Sequence, residues 1–503
     1  MFVRKKQNKS GVISVQVVDK SSGKYKLIKT IGSSSDKQIV EDLFIRGQDF
    51  INHFNGQVFL DFNQSDVLFS KFISGIKEIN VAGSELLLGK IFDEIGFNQI
   101  TDELFKKLVI ARLCFPSSKL KTTDYLRQFQ SYQVDEDKVY RYLDKLHKTQ
   151  KDLVQQISYD HTRKILNHAI SVVFYDVTTL YFEIENEDEL RKTGFSKEGK
   201  HQHPQIVLGL LVSIDGYPLA YDIFEGNKFE GHTMLPTIES FKIKYKLKQL
   251  VVIADSGLLS NDNIAELQNK EYEYILGARI KSESLSMKNK ILSMSFKNGE
   301  SHIIQKDKNT RLLINYSLAR AKKDKANRER GLQKLEKQIR SGRLTKSSIN
   351  NKGYNKYLKM DGQVNISIDK NKFEQDGKWD GLKGYITNTS LSKEEIIENY
   401  NHLWKIEKAF RITKTDLKIR PIYHQLRRRI EAHICIAFVA YKVYKELERQ
   451  LKVLNSTLSP EKAIEISKTI YSIKGIKPFT RETLTQTLIL NDEQRLLAKL
   501  FQF

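Results

Sequence analysis

The stretch Ser392–His424, which contains the letters SKEEIIENYNHLWKIEKAFRITKTDLKIRPIYH, constrains the fold more than any other part of the chain. Ser392 is followed three residues later by Glu395, the spacing of a capping box in which each side chain accepts a hydrogen bond from the other residue's backbone N–H. The pattern therefore predicts a helix that starts at Ser392 and runs to the neighbourhood of Pro421, because proline stops a helix.

Three chemically distinct side chains, Tyr400, Glu407 and Lys414, follow one another at intervals of seven residues on this predicted helix. Seven residues are nearly two helical turns, so the three side chains lie on one face and each is rotated by about 20° from the last. Such a stripe is either a solvated surface or a metal-binding carboxylate flanked by phosphate contacts. The second interpretation requires further acids elsewhere in the chain.

Two aspartates near the ends of predicted strands supply such acids. Val172–Val177 is a run of β-branched and aromatic residues typical of a central strand, and Asp176 interrupts it near its end. The alternative for Asp176 is a cap of a turn with the threonines that follow it. Leu250–Ala254 is a second predicted strand, and Asp255 follows it directly. Because ligands of open α/β sheets bind at the carboxyl ends of strands, Asp255 is a candidate binding residue rather than a simple helix cap.

The order of the predicted elements indicates a fold class. A strand with Asp176 is followed by two strands, a helix, a strand ending at Asp255, a second helix, a long insert and the helix with Glu407. The insert is too long for a loop, so we expect it to form a subdomain. This layout predicts an α/β protein with a ribonuclease-H-like catalytic core that an insertion subdomain interrupts, preceded by a helical N-terminal region.

The helix stripe also carries a resemblance to a known family. It resembles the Y-x2-R-x3-E-x6-K signature of DDE transposases from bacterial insertion sequences of the insertion-sequence-four superfamily: Tyr400, Glu407 and Lys414 match, and Leu403 stands at the arginine position. The surrounding letters IEKAFRITKTDLKIRPIYH are similar to the branch typified by insertion sequence 1634.

Two further blocks extend the resemblance. The letters DVTT, which begin at Asp176, resemble the first acidic block of these transposases, and the D-x-G-x-x-S form from Asp255 to Ser260 resembles the second. Together the three blocks lie within roughly residues 100 to 440 of the chain. The resemblance implies that Asp176, Asp255 and Glu407 are the catalytic and metal-binding triad.

The resemblance also implies the DNA contacts, the cofactor and the reaction. Tyr400 and Lys414 are expected on phosphates, and Arg411 or Lys405 is expected to supply the charge missing at Leu403. Three carboxylates around one site suit Mg²⁺ or Mn²⁺, with two ions assisting an in-line attack on a phosphodiester. The implied activity is cut-and-paste transposition: binding of terminal inverted repeats, metal-dependent cleavage of double-stranded DNA and strand transfer into target DNA, by a homodimer in the DNA complex.

Charge and hydropathy agree with a nucleic-acid partner. The chain has 83 Lys and Arg against 61 Asp and Glu, a net charge of +22, and cations placed on phosphates release condensed counterions. Its longest apolar runs are far short of a membrane span, and the N-terminal letters MFVRKKQNKS have no apolar stretch behind them. These features predict a cytoplasmic protein with no membrane partner. The resemblance adds that the protein is bacterial and is associated with the nucleoid when it is bound to DNA.

The predicted organisation has six segments. They are an N-terminal hairpin and basic arm (1–80), a helical region that is a candidate DNA-binding domain (81–168), the first part of the core (169–280), an insertion subdomain with a basic helix (281–390), core helices with the third acid (391–450) and a C-terminal helical region (451–503). Val139–Leu146 is either the recognition helix of a helix-turn-helix or part of a plain helical bundle.

Two alternative functions fit the same sequence. One is a transposase relic that binds DNA and has lost catalysis, against which an intact triad argues. The other is a host nuclease of the same fold, which only a strand-transfer assay separates from a transposase.

Overall fold

The structure is a computed structural model, and it describes residues 1–54, 69–70, 72–167, 170–184, 186–196, 199–247, 250–342, 344–345, 348–350, 353–361, 365–420, 422–477 and 482–503. The α-helices among these residues are α1 (Lys37–Phe54), α2 (Lys90–Ile95), α3 (Glu103–Cys114), α4 (Lys119–Gln130), α5 (Glu136–Lys145), α6 (Lys151–Ile165), α7 (Met234–Tyr245), α8 (Asn261–Asn269), α9 (Leu285–Leu292), α10 (Leu318–Arg340), α11 (Lys370–Gly377), α12 (Lys393–Asn401), α13 (Trp404–Arg411), α14 (Arg427–Val453), α15 (Pro460–Ser467) and α16 (Asp492–Phe501). The β-strands are β1 (Phe2–Gln7), β2 (Ile13–Asp19), β3 (Lys26–Ser34), β4 (Ile76–Val81), β5 (Val172–Tyr181), β6 (Gln205–Ser213), β7 (Pro218–Glu225), β8 (Val251–Ala254), β9 (Glu273–Ala278), β10 (Ser301–Gln305), β11 (Arg311–Tyr316), β12 (Leu358–Asp361), β13 (Asn365–Ile368), β14 (Leu382–Thr387), β15 (Tyr471–Ile476) and β16 (Thr483–Leu488).

The chain divides into two compact units. The small unit comprises Met1–Gly83, Phe129–Ser131 and Ile466–Lys499, and the large unit comprises Ser84–Gln128, Tyr132–Glu465 and Leu500–Phe503. These units cut across the six segments predicted from the sequence, because residues from both ends of the chain meet in the small unit.

The small unit contains two antiparallel sheets. The first is a meander of β1, β2 and β3 with α1 packed on it, so the predicted N-terminal hairpin is present as β2 and β3 with β1 added at the edge. The second has the order β16-β15-β4. The predicted C-terminal helical region (451–503) therefore includes two strands, of which β15 pairs with β4 on one side and with β16 on the other. The alternating residues of Tyr471–Ile476 favour a strand over a helix.

The large unit is built on one eight-stranded sheet with the order β10-β11-β14-β9-β8-β5-β6-β7. The strands β5, β6 and β7 form an antiparallel meander, whereas β8 is parallel to β5 and β9 is parallel to β8. A meander followed by two parallel strands on the other side of its first strand is the arrangement of a ribonuclease-H-like fold. The predicted mixed α/β fold class is confirmed.

The segment predicted as an insertion subdomain (281–390) contributes directly to this sheet. The strands β10, β11 and β14 extend the sheet beyond β9, and β11 pairs with β14 in antiparallel register from Arg311↔Thr387 to Tyr316↔Leu382. Between these two strands the chain makes an excursion that carries α10, the β12–β13 hairpin and α11, with a small apolar cluster around Leu335, Tyr357 and Leu358. The predicted basic helix corresponds to α10.

Helices cover both faces of the sheet around β5 and β6. On one face, residues of α6, α7 and α8 pack on Val173, Tyr175 and Val177 of β5. On the other face, α13 packs on β5 and α14 packs on β7. Every residue of β6 is buried, which explains why its sequence QIVLGLLVS is almost continuously apolar rather than alternating.

The helix predicted from Ser392 to the neighbourhood of Pro421 is interrupted. The capping box is present, but α12 ends at Asn401, α13 spans Trp404–Arg411, and the π-helical turn Ile412–Asp416 follows. At the interruption Leu403 N–H donates to the Tyr400 carbonyl and Ile406 N–H donates to the Leu403 carbonyl, so hydrogen bonds to the third preceding residue replace those to the fourth. Pro421 itself lies outside the described residues.

Across the described ranges, none of the helices combines the length and the apolar character that crossing a bilayer requires.

Candidate active site

Asp176 and Asp255 lie side by side on neighbouring parallel strands. Tyr175 of β5 is opposite Ala254 of β8 in the ladder, and the two aspartates are the next residues along each strand. Adjacent strands are about 4.8 Å apart, so the backbones of the two acids are neighbours although they are far apart in sequence. Strand β5 continues to Tyr181, so Asp176 lies in the middle of the strand and not near its end as predicted.

The two aspartates project toward the face of the sheet that carries the third predicted acid. Tyr175 and Ala254 both belong to the core on the α7 face, and successive side chains of a strand point to opposite faces. Asp176 and Asp255 therefore point to the α13 face. Glu407 is an exposed residue of α13, the helix that packs on β5.

The loop after β8 holds the Asp255 carboxylate at the carboxyl end of that strand. Its Oδ1 accepts a hydrogen bond of 2.6 Å from the backbone N–H of Ser256, and Ser260 rather than Asp255 caps the following helix α8. Arg279 Nε donates to the Ser256 carbonyl at 3.0 Å and so ties the loop to the end of β9. Asp255 is exposed, so its carboxylate is accessible to a ligand.

Tyr400 is buried and points at the same carboxylate. Its hydroxyl donates to Asp255 Oδ1 at 3.5 Å, and burial together with the Asp255 charge raises the pKa of Tyr400 well above its usual value. Its ring lies 4.7 Å from the ring of Tyr385 in an edge arrangement. Gly277 of β9 makes this approach possible, because a Cβ there would be 2.4 Å from the Tyr400 hydroxyl.

Lys383 of β14 is a functional candidate that the sequence analysis missed. Its ammonium lies 4.5 Å from the centroid of the Tyr400 ring. Burial and the charge of Arg320 lower the pKa of Lys383, while Asp255 and Glu407 oppose this shift, so both acids act on one ammonium. A clue was present in the letters GLKGYITN, where a lysine interrupts an otherwise apolar strand.

The remaining predicted DNA contacts are placed differently from one another. Lys414 is partly buried in the π-helical turn, and Arg411 is exposed at the end of α13. Lys405 donates to the carbonyl of Ile214 at 2.6 Å, in the turn between β6 and β7. That turn lies beside the start of β5, so the structure does not bring Lys405 to the carboxyl end of β8, where the aspartates lie. Leu403, at the usual arginine position, is buried.

The donor chemistry fits a hard divalent cation. Carboxylate oxygens are the ligands that Mg²⁺ and Mn²⁺ prefer, and Mg²⁺ in particular is often held by one or two carboxylates together with phosphates of a substrate. Asp176 and Asp255 provide such a pair. Within the ranges that the structure describes, no three His, Cys, Asp or Glu side chains are gathered closely enough to enclose a metal ion, so Glu407 does not complete a closed site with the two aspartates.

The fold and the acidic pair define a ribonuclease-H-like protein with its candidate site at the carboxyl end of the parallel strands. The profile of the family described as "Transposase DDE domain" matches residues 167–442, more than half of the chain. The chain therefore belongs to the transposase DDE domain family.

Two solved structures are similar to this chain. A piggyBac transposase synaptic complex with hairpin DNA aligns with a TM-score of 0.38 and 9% identity, over 77% of this chain and 78% of the other. The Mos1 transposase paired-end complex with the left transposon end aligns with a TM-score of 0.16 and 10% identity, over 36% of this chain and 57% of the other. No curated protein matches the chain in sequence.

Proposed function

We propose that this protein is an active transposase of a bacterial insertion sequence, in the insertion-sequence-four superfamily and similar to the insertion sequence 1634 branch. It binds the terminal inverted repeats of its element and catalyses DNA cleavage and strand transfer. The observation that carries the proposal is the register of β5 and β8, which sets Asp176 beside Asp255 at the carboxyl end of β8, on the face of the sheet that carries the helix with Glu407. Family membership supplies the reaction class.

In this proposal Asp176, Asp255 and Glu407 hold divalent metal. Bound Mg²⁺ or Mn²⁺ would activate a water or a 3′-hydroxyl and would stabilise the leaving oxygen at the phosphodiester. The protein's own part is to orient the carboxylates: the Ser256 N–H and the Tyr400 hydroxyl both donate to Asp255 and fix its direction. A DNA phosphate would supply oxygen ligands that the two aspartates leave open.

The proposal also assigns three basic side chains to DNA phosphates. Lys383 takes the place of the arginine that is absent at Leu403, because its ammonium is adjacent to Tyr400 and is acted on by Asp255 and Glu407. Lys414 and Arg411 contact phosphates farther along the strand. Two copies of the chain act together on paired element ends.

Asp176→Asn tests the assignment of the acids. The substitution keeps the size of the side chain and removes its charge, so the variant should fold and should bind labelled element ends at least as tightly as wild type. Cleavage and strand transfer with Mg²⁺ or Mn²⁺ should fall to background, because the metal loses a ligand. A gel assay that separates retained complex from nicked and joined product measures both effects.

The double variant sharpens this test. Because the acids act as one unit, adding Glu407→Gln to Asp176→Asn should cost almost nothing further. An Asp176→Asn protein that still cuts DNA would show that the active site lies elsewhere in the chain. A wild type that binds the ends without nicking them under either metal would favour a DNA-binding relic, and one that cuts without joining would favour a nuclease.

A further inference from the structure

A cavity in the large unit is lined by basic side chains and includes none of the three acids of the candidate active site. Its volume is about 490 Å³, and its walls come from α3, α4, α5, α14 and the segment that follows the π-helical turn. The basic side chains on its wall are Arg112, Lys119, Lys121, Lys418 and Arg420. Among the described residues, the one carboxylate that lines it is Glu136.

Two of these basic side chains, Arg112 and Lys119, are deeply buried, and neither forms an ion pair with an acid among the described residues. Burial lowers the pKa of both, which is the expected effect of removing a charge from water without an opposite charge nearby. Arg112 is 5% exposed and donates one hydrogen bond of 3.4 Å, to the Leu417 carbonyl. Lys119 is 6% exposed, and within the described part of the chain its ammonium forms no hydrogen bond or ion pair. Burying an unpaired cation is unfavourable unless an anion compensates it, so the free protein retains a cost that a ligand would remove.

The two histidines of the cavity do not supply a negative partner. His433 Nε2 donates to the Ile419 carbonyl at 3.0 Å, and the ring of His424 packs edge-on against that of His433 at 5.3 Å. Burial and the charges of Lys119 and Arg112 lower the pKa of His424 to about 3, and the same effects lower the pKa of His433. Both rings are therefore neutral near pH 7, and the positive charge of the cavity comes from lysine and arginine.

The mouth of the cavity suits a nucleic-acid strand. Tyr423 lines it and is 68% exposed, an unusual position for a large aromatic ring, and Tyr140 also lines the cavity. An exposed aromatic ring beside a cationic groove is the combination that holds a base and its phosphate in single-strand binding proteins. Lys418 and Tyr423 also follow the helix with Glu407 closely in sequence.

We propose that this cavity is a phosphate-binding site that holds a backbone phosphate of element-end DNA away from the cleavage position, with Lys119 and Arg112 at its base and Tyr423 at its mouth. This proposal rests on the proposed function for the identity of the DNA. The shared chemistry is a phosphate group, which a DNA backbone or a free phosphate compound can supply.

The first experiment measures the site without DNA. Thermal unfolding of the full chain is compared in inorganic phosphate and in chloride at matched ionic strength, for wild type, Lys119→Met and the control Lys290→Met, whose lysine is exposed on α9. Phosphate should raise the Tm of wild type and of the control, because an anion compensates the buried cations. Lys119→Met should have a higher Tm than wild type in chloride and should lose the response to phosphate.

The second experiment measures DNA binding by the same proteins over a salt series. Removing one phosphate contact should lower the slope of log K against log salt by about one unit and weaken binding roughly eightfold at 0.1 M salt. Lys290→Met should keep the wild-type slope. Lys121→Glu, which changes an exposed residue at the mouth and cannot disturb the core, should also weaken binding and the response to phosphate.

The outcomes separate the possible sources of the phosphate. Loss of both the phosphate response and one unit of slope in Lys119→Met supports a DNA phosphate at this site. A lost phosphate response with an unchanged slope overturns the DNA assignment in favour of a free phosphate compound, and no change in either overturns the site. Because binding is measured without cleavage, a wild type that fails to cut would defeat the proposed catalytic function and leave this test intact.

Discussion

Because Gly277 has no side chain, the Tyr400 hydroxyl can approach Asp255 closely. A Cβ at Gly277 would lie 2.4 Å from the Tyr400 hydroxyl, which is shorter than real contacts allow, and 3.0 Å from the Ser256 nitrogen, which is a tight contact. We expect Gly277→Ala to push the hydroxyl away from Asp255, to lower cleavage of element ends, and to destabilise the fold by about 1–3 kcal/mol through overpacking. Cleavage rates and urea unfolding measure the two effects separately.

Two further variants distinguish crowding from the loss of the hydrogen bond. Tyr400→Phe removes the hydroxyl, so adding Gly277→Ala to it should cost little more activity if both act through the bond to Asp255. Gly331→Ala creates similar crowding, against the ring of Tyr354 in the excursion, and should lower stability without lowering cleavage. Equal loss of cleavage in Gly331→Ala and Gly277→Ala would show that Gly277 affects cleavage only through the packing of the fold.

We expect the eight-stranded sheet to fold without most of the excursion between β11 and β14. Tyr316 and Leu382 are paired neighbours in the ladder, so the strands that flank the excursion already meet. Its apolar cluster around Leu335 and Tyr357 lies wholly within residues 330–374, whereas Trp379 packs in the core beside Ile280. Replacing residues 330–374 by a short Gly-Ser linker should therefore leave a cooperatively folded protein, because shortening a loop costs little.

Circular dichroism and thermal unfolding check this prediction, with salt-dependent DNA binding as the second measurement. Removing the basic second half of α10 should lower the salt slope of DNA binding if this helix contacts phosphates. A deletion variant without a cooperative unfolding transition would show that the excursion supports the sheet. The boundaries matter here, since Arg328 pairs with Asp380 and both residues are retained.

The sequence predicted the individual strands and helices better than it predicted which strands pair with one another. The β-branched run at β5, the strand before Asp255 and the capping box at Ser392 were readable because each depends on neighbouring residues. The joining of β14 to β9 was not readable, because it depends on pairing between residues more than a hundred positions apart. Lys383 was missed for the same reason: its proximity to Tyr400 exists only once β14 lies in the sheet.

The interruption at Leu403 shows the limit of a spacing argument within one element. Intervals of seven residues place Tyr400, Glu407 and Lys414 on one face only if the helix is regular. A tightened turn at Leu403 and a π-helical turn from Ile412 change the rotation per residue twice along the stripe. Tyr400 consequently points into the sheet at Asp255, whereas Glu407 is exposed on α13.

In the large unit, three neutral histidines lie near lysine and arginine side chains, and their protonation makes the stability of the unit depend on pH. His424 and His433 are buried, and the side chain of His161 is 10% exposed. Burial is the largest cause that lowers the pKa of each, and nearby lysine and arginine add to it; Glu446 opposes the shift at His161. The pKa is lowered to about 3 for His161 and His424. Below about pH 6.5 the unfolded chain binds protons at these positions that the folded chain does not. The free energy of unfolding therefore falls as the pH falls.

The expected loss of stability is a substantial fraction of the free energy of unfolding of a typical protein. Between pH 6.5 and 5 each of these histidines should remove about 2 kcal/mol from the free energy of unfolding, and folded proteins commonly have only about 5–15 kcal/mol. Urea unfolding in chloride buffer at pH 7 and pH 5 measures the total loss. His424→Asn cannot titrate in this range, so its loss between the two pH values should be smaller than that of wild type by about 2 kcal/mol. Equal losses in the two proteins would mean that His424 is protonated in the folded state, which would require an anion in the cavity beside it.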